Sequence, residues 1–432
     1  MKLNYRKTLD VRYSVDVFVA GGGPAGVAAA VMAAEAGAKV LIVEQSGSFG
    51  GVGTVGMVPE IMNFDDGKNF LAGGFGRRVH DALFPPCKFE REWVITSPEK
   101  IKRLYDEMIA EAGVEYLFFN KLTDVVTDGR KITHAIVSAP EGIYAIEAKC
   151  FIDTTGNGAL AALAGCEFAY GDETGITMPA TLCSLWGNVD FDVLDIEQQR
   201  EGVEKAYQDG VLSQYDTILP GMKPIFPECK VAGGNIGHAF AVNDTQSRSI
   251  SDAMTVSRKI LAEYESYYKE YVKGCENATL LRSADLLGIR ESRRIATDKV
   301  LTKEAFFAKE PFFDEIGRYS YPVDIHPMTA DAKGMADFEK SIQLKHACGE
   351  SYSIPYGAIV AKDADNLLVA GRHVGADRAM QASVRVIPGA YITGQAAGIA
   401  AALCTKNGVS THSLDVQELQ ATLKKAGAYL RV

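Results

Sequence analysis

The sequence DVFVAGGGPAG at residues 16–26 decides the fold, because a strand pattern gives way to a helix start across one glycine turn. Residues Asp16–Ala20 predict a buried strand, and the alanine-rich segment Val27–Gly37 predicts a helix. Val40–Val43 then predicts a second strand, which ends at Glu44. This order of strand, turn, helix, strand and terminal acid is typical of a βαβ unit that binds a dinucleotide.

Three glycines of the turn have separate physical tasks in such a unit. Gly21 allows the tight turn, Gly23 lets the backbone approach a pyrophosphate, and Gly26 lets the helix pack close to the strand. The start of the helix offers unpaired N–H groups to phosphate oxygens. Glu44 ends the second strand 18 residues after Gly26, where it is placed to accept hydrogen bonds from a ribose. We therefore predict a dinucleotide cofactor.

Composition and charge narrow the class of protein further. The 432 residues are enough for two or three domains, and the formal net charge of −10 argues against nucleic acid as the main partner. The eight cysteines form no CxxC pair, which argues against zinc-ribbon and iron–sulfur sites, and no metal-ligand spacing is found. We see no apolar stretch of membrane-spanning length and no signal-peptide core in residues 1–15. The expectation is a cytoplasmic protein without a bound metal.

The order of the motifs along the chain predicts a discontinuous α/β architecture. The predicted fold class is a Rossmann-like cofactor domain, with a parallel sheet plus a β-meander, into which a mixed α+β substrate domain is inserted. The cofactor domain is expected to comprise residues 1–60, 100–166 and 355–432. Residues 61–99 and 167–354 are expected to form the substrate or cap domain.

A second glycine pattern follows the strand that ends near Asp153. Gly156-Asn157-Gly158 opens a predicted helix and matches a variant of the dinucleotide fingerprint. A complete unit would continue into a strand with a terminal acid about 20 residues later, and none follows. We interpret Thr155 and Gly156 as a segment that passes beside the first cofactor.

An arginine cluster lies on a segment, residues 280–295, for which we predict a helix. Arg290, Arg293 and Arg294 offer planar guanidinium groups that could clamp a carboxylate or stabilise an oxyanion. The alternative is a structural network of these arginines with Glu291. Both interpretations stay open, because a helix cannot point all three arginines inward.

Two histidines are candidates for acid and base chemistry. Strand alternation would put Asp324 and His326 on one face, where they could form an oriented pair. His238, which follows the glycine-rich run at residues 233–237, is the other candidate. A hydrogen-bonded structural role remains the alternative for each of them.

Five segments together carry a resemblance to a known superfamily. They are residues 21–26 with Glu44 and Gly50-Gly51, residues 151–156, residues 288–294, residues 321–326, and residues 366–398. Nearly the whole chain resembles the FAD-dependent oxidoreductases of the glutathione-reductase-like superfamily. The resemblance is closer to flavoproteins related to the fumarate reductase and succinate dehydrogenase flavoprotein group.

The resemblance implies FAD, bound noncovalently, and assigns residues to it. Gly21, Gly23, Pro24, Ala25 and Gly26 would hold the pyrophosphate. Glu44 would bind the adenosine ribose, with Leu122 beside the adenine. The remaining cofactor residues expected are Gln45, Gly51 and Gly53 in the glycine-rich loop, Thr155, Gly156, Gly371 and Arg372 beside the cofactor, and Ser383, Arg385 and Val386 at the start of the last long helix.

The function expected is an FAD-dependent dehydrogenase that takes hydride from a C–OH or CH–CH unit of a small polar substrate. His326 or His238 would be the base, and an arginine such as Arg290 would anchor the substrate. The alternatives are a reductase of an activated double bond, an electron-relay flavoprotein subunit and a dinucleotide sensor. The lack of iron–sulfur cysteine motifs counts against the relay. The electron partner and any homo-oligomer are left open.

Overall fold

The computed structural model describes residues 3–194, 198–218, 221–309 and 311–432. The strands in these ranges are β1 Val11–Ala20, β2 Val40–Val43, β3 Glu60–Ile61, β4 Val94–Ile95, β5 Glu115–Leu117, β6 Lys121–Asp128, β7 Lys131–Ala139, β8 Gly142–Asp153, β9 Phe168–Tyr170, β10 Ser184–Gly187, β11 Met222–Phe226, β12 Val231–Gly234, β13 Thr279–Ser283, β14 Arg293–Ile295, β15 Glu315–Tyr319, β16 Tyr352–Pro355 and β17 Leu367–Val369. The helices are α1 Pro24–Glu35, α2 Phe75–Leu83, α3 Pro98–Glu111, α4 Ala159–Leu163, α5 Gln198–Gln208, α6 Ser247–Tyr271, α7 Lys303–Ala308, α8 Ala332–Ile342, α9 Arg378–Val384, α10 Ile387–Asn407 and α11 Val416–Lys425.

The central sheet has seven strands in the order β5-β2-β1-β8-β7-β6, with β17 also paired to β8. Strands β5, β2, β1, β8 and β17 run parallel to one another, whereas β6, β7 and β8 form an antiparallel meander. β8 belongs to both parts, because it is one continuous strand of 12 residues. The predicted α/β class, a Rossmann-like parallel sheet plus a β-meander, is confirmed.

Helices α1 and α10 pack against each other and form the centre of the largest core. Every residue of α10 from Ile387 to Cys404 is buried, and small residues let the two helices approach closely. By length and composition α10 would suit a membrane crossing, but its most apolar window lies entirely inside the protein. This position is that of a core helix.

A second, smaller sheet has the order β11-β12-β10-β13 and packs with α6. Trp186 of β10 is fully buried, with its ring 5.6 Å from that of Tyr268. Buried residues of the 61–99 segment, such as Phe75, belong instead to the core around α1 and α10. The predicted division of the chain into two domains stays a prediction.

The helix predicted over residues 280–295 is wrong. The segment contains β13 and β14, joined by irregular backbone with a bend at residues 285–286. Gly288 and Thr181 exchange two backbone hydrogen bonds, of 2.8 and 3.1 Å, and this pairing with a distant segment overrides the local helical pattern. The three arginines therefore lie on an extended chain, which points them in different directions.

Candidate functional site

The glycine turn between β1 and α1 is built so tightly that side chains would not fit. Gly21 has a φ of 101°, in the left-handed region that favours glycine. A Cβ atom on Gly26 would lie 1.9 Å from the carbonyl oxygen of Gly21. The turn thus brings the first residues of α1 directly beside the ends of β1 and β8, as the fingerprint predicts.

A cavity of about 300 Å³ opens at this turn, and we name it the narrow cavity. A Cβ atom on Gly23 would meet nothing within 4 Å, so the backbone is open to a ligand there. The predicted cofactor residues that line the narrow cavity are Gly21, Gly23, Pro24, Ala25, Glu44, Gln45, Gly51, Leu122, Thr155, Gly156, Gly371, Arg372 and Arg385. The fold therefore brings most of the predicted set, from distant parts of the chain, to one cavity.

The carboxylate of Glu44 is held in place by hydrogen bonds from two backbone N–H groups. Its Oε2 accepts a hydrogen bond of 2.7 Å from the N–H of Gly22, and its Oε1 accepts one of 2.8 Å from the N–H of Ser46. Each carboxylate oxygen can accept a further hydrogen bond. The side chain lines the narrow cavity, and its predicted contact with a ribose stays a prediction.

Four predicted cofactor residues do not line the narrow cavity. Gly26 and Gly53 are in packing contacts, where Gly26 faces the turn and Gly53 lies beside Ile387. The hydroxyl of Ser383 donates to the carbonyl oxygen of Tyr321 at 2.5 Å, which gives Ser383 a structural hydrogen bond. Val386 lines a second cavity instead.

This second cavity, the wide cavity, has a volume of about 790 Å³. Five residues line both cavities, which are therefore continuous with each other: Val52, Ile289, Arg372, Arg385 and Ile387. Arg290, Asp324 and His326 line the wide cavity as well. Two of the candidate catalytic residues, Arg290 and His326, thus line a cavity that adjoins the narrow cavity.

The two candidate histidines belong to one buried hydrogen-bonded chain. Nδ1 of His238 lies 2.7 Å from Oδ2 of Asp216, and Nε2 of His238 lies 2.9 Å from Nδ1 of His326. Nε2 of His326 lies 3.5 Å from Oδ1 of Asp324, which is longer than an ordinary hydrogen bond. Sequence reasoning does not find Asp216, because it stands in a loop that carries no motif.

Burial keeps both histidines uncharged. Burial lowers the pKa of His238 below its ordinary value, although Asp216 acts in the opposite direction. Burial, followed by the positive charge of Arg290, lowers the pKa of His326 to about 3. No group of three or more histidine, cysteine, aspartate or glutamate side chains could hold a metal ion in the described ranges. At neutral pH both rings can therefore accept a proton.

Asp324 is shared between the histidine and an arginine. Its Oδ2 accepts a hydrogen bond of 2.8 Å from Nη2 of Arg385 and one of 3.3 Å from the hydroxyl of Tyr321. Burial alone would raise the pKa of Asp324, but His326, which carries a charge once it is protonated in acid, and the guanidinium of Arg385 hold that pKa well below its usual range. Asp324 therefore stays ionised and fixes the guanidinium of Arg385.

Arg290 is anchored on one side and free to bind on another. Its Nη1 donates to the carbonyl oxygen of Pro179 and to Oγ1 of Thr181, both at 2.9 Å. Its Nη2 lies 3.4 Å from Oδ1 of Asn235, a weaker contact. Burial lowers the pKa of Arg290 to about 10, so the guanidinium still carries its charge at neutral pH. This geometry leaves donor capacity toward the wide cavity.

The other two arginines of the predicted cluster serve the structure. Nη1 of Arg293 donates to the carbonyl oxygen of Asn157 at 2.9 Å. Nη1 of Arg294 donates to Oε1 of Glu291 at 2.7 Å, and Glu291 also binds Arg378. The structural interpretation thus fits Arg293 and Arg294, whereas a substrate-binding role for Arg290 stays a prediction.

The second glycine pattern does not open another dinucleotide unit. The helix after Gly158 is the short α4, and the next strand, β9, pairs antiparallel with β14 instead of joining the parallel sheet. Thr155 and Gly156 line the narrow cavity, as expected for a segment beside the cofactor.

Two buried donors fit the acceptor groups of a flavin dinucleotide. Among the described residues, Nε of Arg372 and Nε of Arg385 are buried and have no hydrogen-bond partner. Both arginines lie where the two cavities meet. A buried donor without a partner is costly, and a phosphate or ring oxygen there would satisfy it. The open backbone at Gly23 fits the pyrophosphate in the same way.

Comparisons with known proteins agree with this geometry. Residues 16–423 match the family described as FAD dependent oxidoreductase. Two thiamine thiazole synthases are similar to part of the chain. The one from Pyrococcus horikoshii is 25% identical over 232 residues, which are 52% of this chain and 87% of that protein. The one from Aeropyrum pernix is 27% identical over 233 residues, which are 50% of this chain and 80% of that protein.

Solved structures are similar to this chain only at low identity. A geranylgeranyl bacteriochlorophyll reductase-like protein from Thermoplasma acidophilum is 13% identical with a TM-score of 0.49, and the match covers 96% of this chain and 84% of that one. The family match spans both the glycine turn at the start of α1 and the arginines at the junction of the cavities. The chain therefore belongs to the family of FAD-dependent oxidoreductases, and it is an enzyme with FAD as its cofactor.

Proposed function

We propose that this enzyme is a dehydrogenase, which takes hydride from a C–OH or CH–CH unit of a small polar substrate bound in the wide cavity. The observation that carries the proposal is that a neutral histidine, His326, and a charged arginine, Arg290, line the wide cavity, which is continuous with the narrow cavity. Such an arrangement provides a base and an anchor beside the cofactor's end.

The narrow cavity would hold the dinucleotide part of FAD, with the pyrophosphate against Gly23 and the start of α1. Arg372 and Arg385, at the junction, would satisfy their free Nε donors on the cofactor or on the substrate beside it. FAD supplies the acceptor for a hydride, and the protein has to place the substrate carbon and manage its proton. We propose noncovalent binding, and also the division into a cofactor domain (1–60, 100–166 and 355–432) and a substrate domain (61–99 and 167–354).

Arg290 would bind a carboxylate or a developing oxyanion of the substrate. Its bonds to Pro179 and Thr181 fix the plane of the guanidinium, so little side-chain entropy is lost when a substrate binds. Asn235 lies beside the weakly held Nη2 and would add a polar contact to the same wall. The cavity thereby favours small substrates that carry an anionic or strongly polar group.

His326 would be the general base. It is uncharged at neutral pH because burial and Arg290 lower its pKa to about 3, so its free nitrogen can accept the proton of a substrate hydroxyl. His238 is fully buried and does not line the wide cavity. Of the two candidate histidines, His326 is therefore the one that would touch the substrate.

The test is an anaerobic absorbance titration of the FAD-loaded protein with sugars, polyols, hydroxy acids and saturated carboxylates. Bleaching of the flavin by one class is the expected result, and it names the substrate class. If no member of the panel bleaches the flavin, the proposal fails for these classes. Reoxidation of the photoreduced protein by unsaturated acids would then support the reductase.

The role of Arg290 is tested in the same assay with a matched control. Arg290→Gln should weaken substrate binding roughly tenfold to a hundredfold, because it removes hydrogen bonds from a charged donor. Arg282→Gln, in the same segment but exposed at the surface, should leave binding unchanged. Equal affinities of both variants and the unaltered protein would contradict the anchoring role.

A further inference from the structure

We propose that Asp216, His238 and His326 form a proton relay, which moves the proton taken from the substrate away from the wide cavity and holds it on His238. This inference rests on the proposed function. It adds Asp216 and His238 as positioning residues, which act through His326 and do not touch the substrate.

The geometry of the chain fixes the direction in which each group points. Oδ2 of Asp216 lies 2.7 Å from Nδ1 of His238, and Nε2 of the same ring lies 2.9 Å from Nδ1 of His326. All three side chains are buried, with exposures of 1% or less for Asp216 and His238. Water therefore does not compete for these hydrogen bonds, and each of the three ring nitrogens named here has one partner.

The charges decide which nitrogens carry protons at rest. Asp216 is ionised, so it accepts, and Nδ1–H of His238 donates to it. A neutral His238 then has a lone pair on Nε2, which accepts the hydrogen bond from Nδ1–H of His326. Nε2 of His326 is consequently unprotonated, and its separation of 3.5 Å from the Asp324 carboxylate fits the lack of a hydrogen bond there.

The relay accounts for every proton and electron in the oxidation of a C–OH unit. The C–H bond breaks and leaves its electron pair and hydrogen, as hydride, with FAD, so the substrate carbon becomes a carbonyl carbon. The O–H bond breaks and its proton goes to Nε2 of His326. The proton on Nδ1 of His326 passes to Nε2 of His238, which becomes an imidazolium beside Asp216. The substrate loses two electrons, and FAD gains them.

Electrostatics favours His238 as the place where the positive charge rests. The Asp216 carboxylate lies 2.7 Å from His238, whereas the Asp324 carboxylate lies 3.5 Å from His326 and is already bound by Arg385. The charged groups that act on the pair are Arg290, which disfavours a cation on either ring, and the two aspartates, which favour it. Because Asp216 is the closer and unshared anion, the cation is more stable on His238.

The first experiment reads the protons without any substrate. Nitrogen NMR of the ¹⁵N-labelled, FAD-loaded protein at pH 8, with each histidine assigned by substitution, reports which ring nitrogen is protonated. The relay requires Nδ1–H and unprotonated Nε2 on both His238 and His326. A proton on Nε2 of either ring would overturn the relay, whatever the enzyme's reaction is.

The second experiment measures flavin reduction by the substrate found in the titration, in an anaerobic stopped-flow instrument across pH. Asp216→Asn keeps the shape of the side chain but removes the charge that stabilises the imidazolium. The reduction rate should fall at least about tenfold, and the pH at which the base becomes protonated should move down. An unchanged rate and pH profile would overturn the relay.

A matched control separates this effect from the general loss of a buried carboxylate. Asp314 is buried outside both cavities, where it binds Lys299 at 2.6 Å. Asp314→Asn should leave the pH profile of flavin reduction unaltered. If the panel contains no substrate while the NMR result is as expected, the dehydrogenase proposal fails and the proton arrangement stands. If instead a substrate is found but the NMR spectrum shows a proton on Nε2 of either histidine, the relay fails and the dehydrogenase proposal stands.

Discussion

A Cβ atom built on Gly398 would lie 2.2 Å from the carbonyl oxygen of Ala29, so α10 and α1 are in backbone contact. One turn earlier, a Cβ atom on Gly394 would lie 2.3 Å from the carbonyl oxygen of Ala25. The spacing of four residues on both helices puts the two contacts on one line. The start of α1, which forms the glycine turn, is thus fixed against α10.

Gly398→Ala should therefore destabilise the protein even though alanine favours a helix. The added methyl group has no room against the Ala29 backbone, and overpacking of this kind costs about 1–3 kcal/mol. Chemical denaturation, followed by circular dichroism, measures the free energy of unfolding. Lys406→Ala, at the exposed end of the same helix, should change that free energy little. Equal stability of both variants would contradict the close packing.

Gly23→Ala should weaken FAD binding without weakening the fold. Its Cβ would meet no protein atom within 4 Å and would project where we place the pyrophosphate. We expect the dissociation constant of FAD to rise at least about tenfold, which corresponds to about 1.4 kcal/mol. Fluorescence titration of the FAD-free protein measures the constant, and thermal unfolding of the same sample should be unaltered.

Gly26→Ala provides the contrast to that variant. Because its Cβ would lie 1.9 Å from the carbonyl oxygen of Gly21, the turn itself has to move. We expect the FAD-free protein to lose stability as well as cofactor affinity. A Gly26→Ala protein as stable as the Gly23→Ala protein would contradict this account of the turn.

The rate of flavin reduction should be nearly level between pH 5 and pH 8. A base has to be unprotonated to accept a proton, and burial and Arg290 lower the pKa of His326, the proposed base, to about 3. Protonation of the base thus lowers the rate of flavin reduction only below pH 5. Stopped-flow reduction by a saturating substrate measures the profile, and a fall in rate centred near pH 6.5 would contradict it.

His346→Leu should make the protein less sensitive to acid. His346 is buried against the ring of Phe306, at 4.0 Å between ring centres, and burial lowers its pKa to about 4. Between that pKa and the ordinary value of the unfolded state, the unfolded chain binds the proton, so stability falls as the pH falls.

At pH 5 the penalty from His346 is roughly 2 kcal/mol relative to pH 8. Urea denaturation at both pH values should show that the leucine variant loses less stability on acidification by about this amount. The variant His134→Leu, at a partly exposed position, serves as the control and should behave like the unaltered protein. The same loss in all three proteins would contradict the assignment to His346.

The part of the fold that sequence predicts well is the part with local signals. The turn at Gly21, the buried strand before it and the hairpins of the meander follow from periodicity and glycine placement over short distances. Residues 280–295 have a helical pattern as well, yet the pairing of Gly288 with Thr181 holds them extended. Contacts between distant segments determine the backbone conformation of that region, and a single sequence does not show such contacts.

The candidate site, too, can be predicted from the sequence only in part. His238 and His326 stand out as residue types, but they are 88 residues apart and nothing in the sequence shows that they share a hydrogen bond. Asp216 has no motif around it and becomes visible only through its contact with His238. The place of Ser383 in the sequence predicts a contact with the cofactor, which stays a prediction, but it does not reveal that the hydroxyl donates to the carbonyl oxygen of Tyr321. The position of a residue in the sequence therefore does not determine where its side chain points in the fold.

The junction between α1 and α10 also sets an order of events during synthesis. The glycine turn leaves the ribosome early, whereas Gly371, Arg372 and the whole of α10 follow near the end, roughly half a minute later at typical elongation rates. Until then the face of α1 that packs against α10 has no partner, and the narrow cavity lacks Arg372 and Arg385. We expect the nascent chain to depend on chaperones over this interval and to acquire FAD only after release.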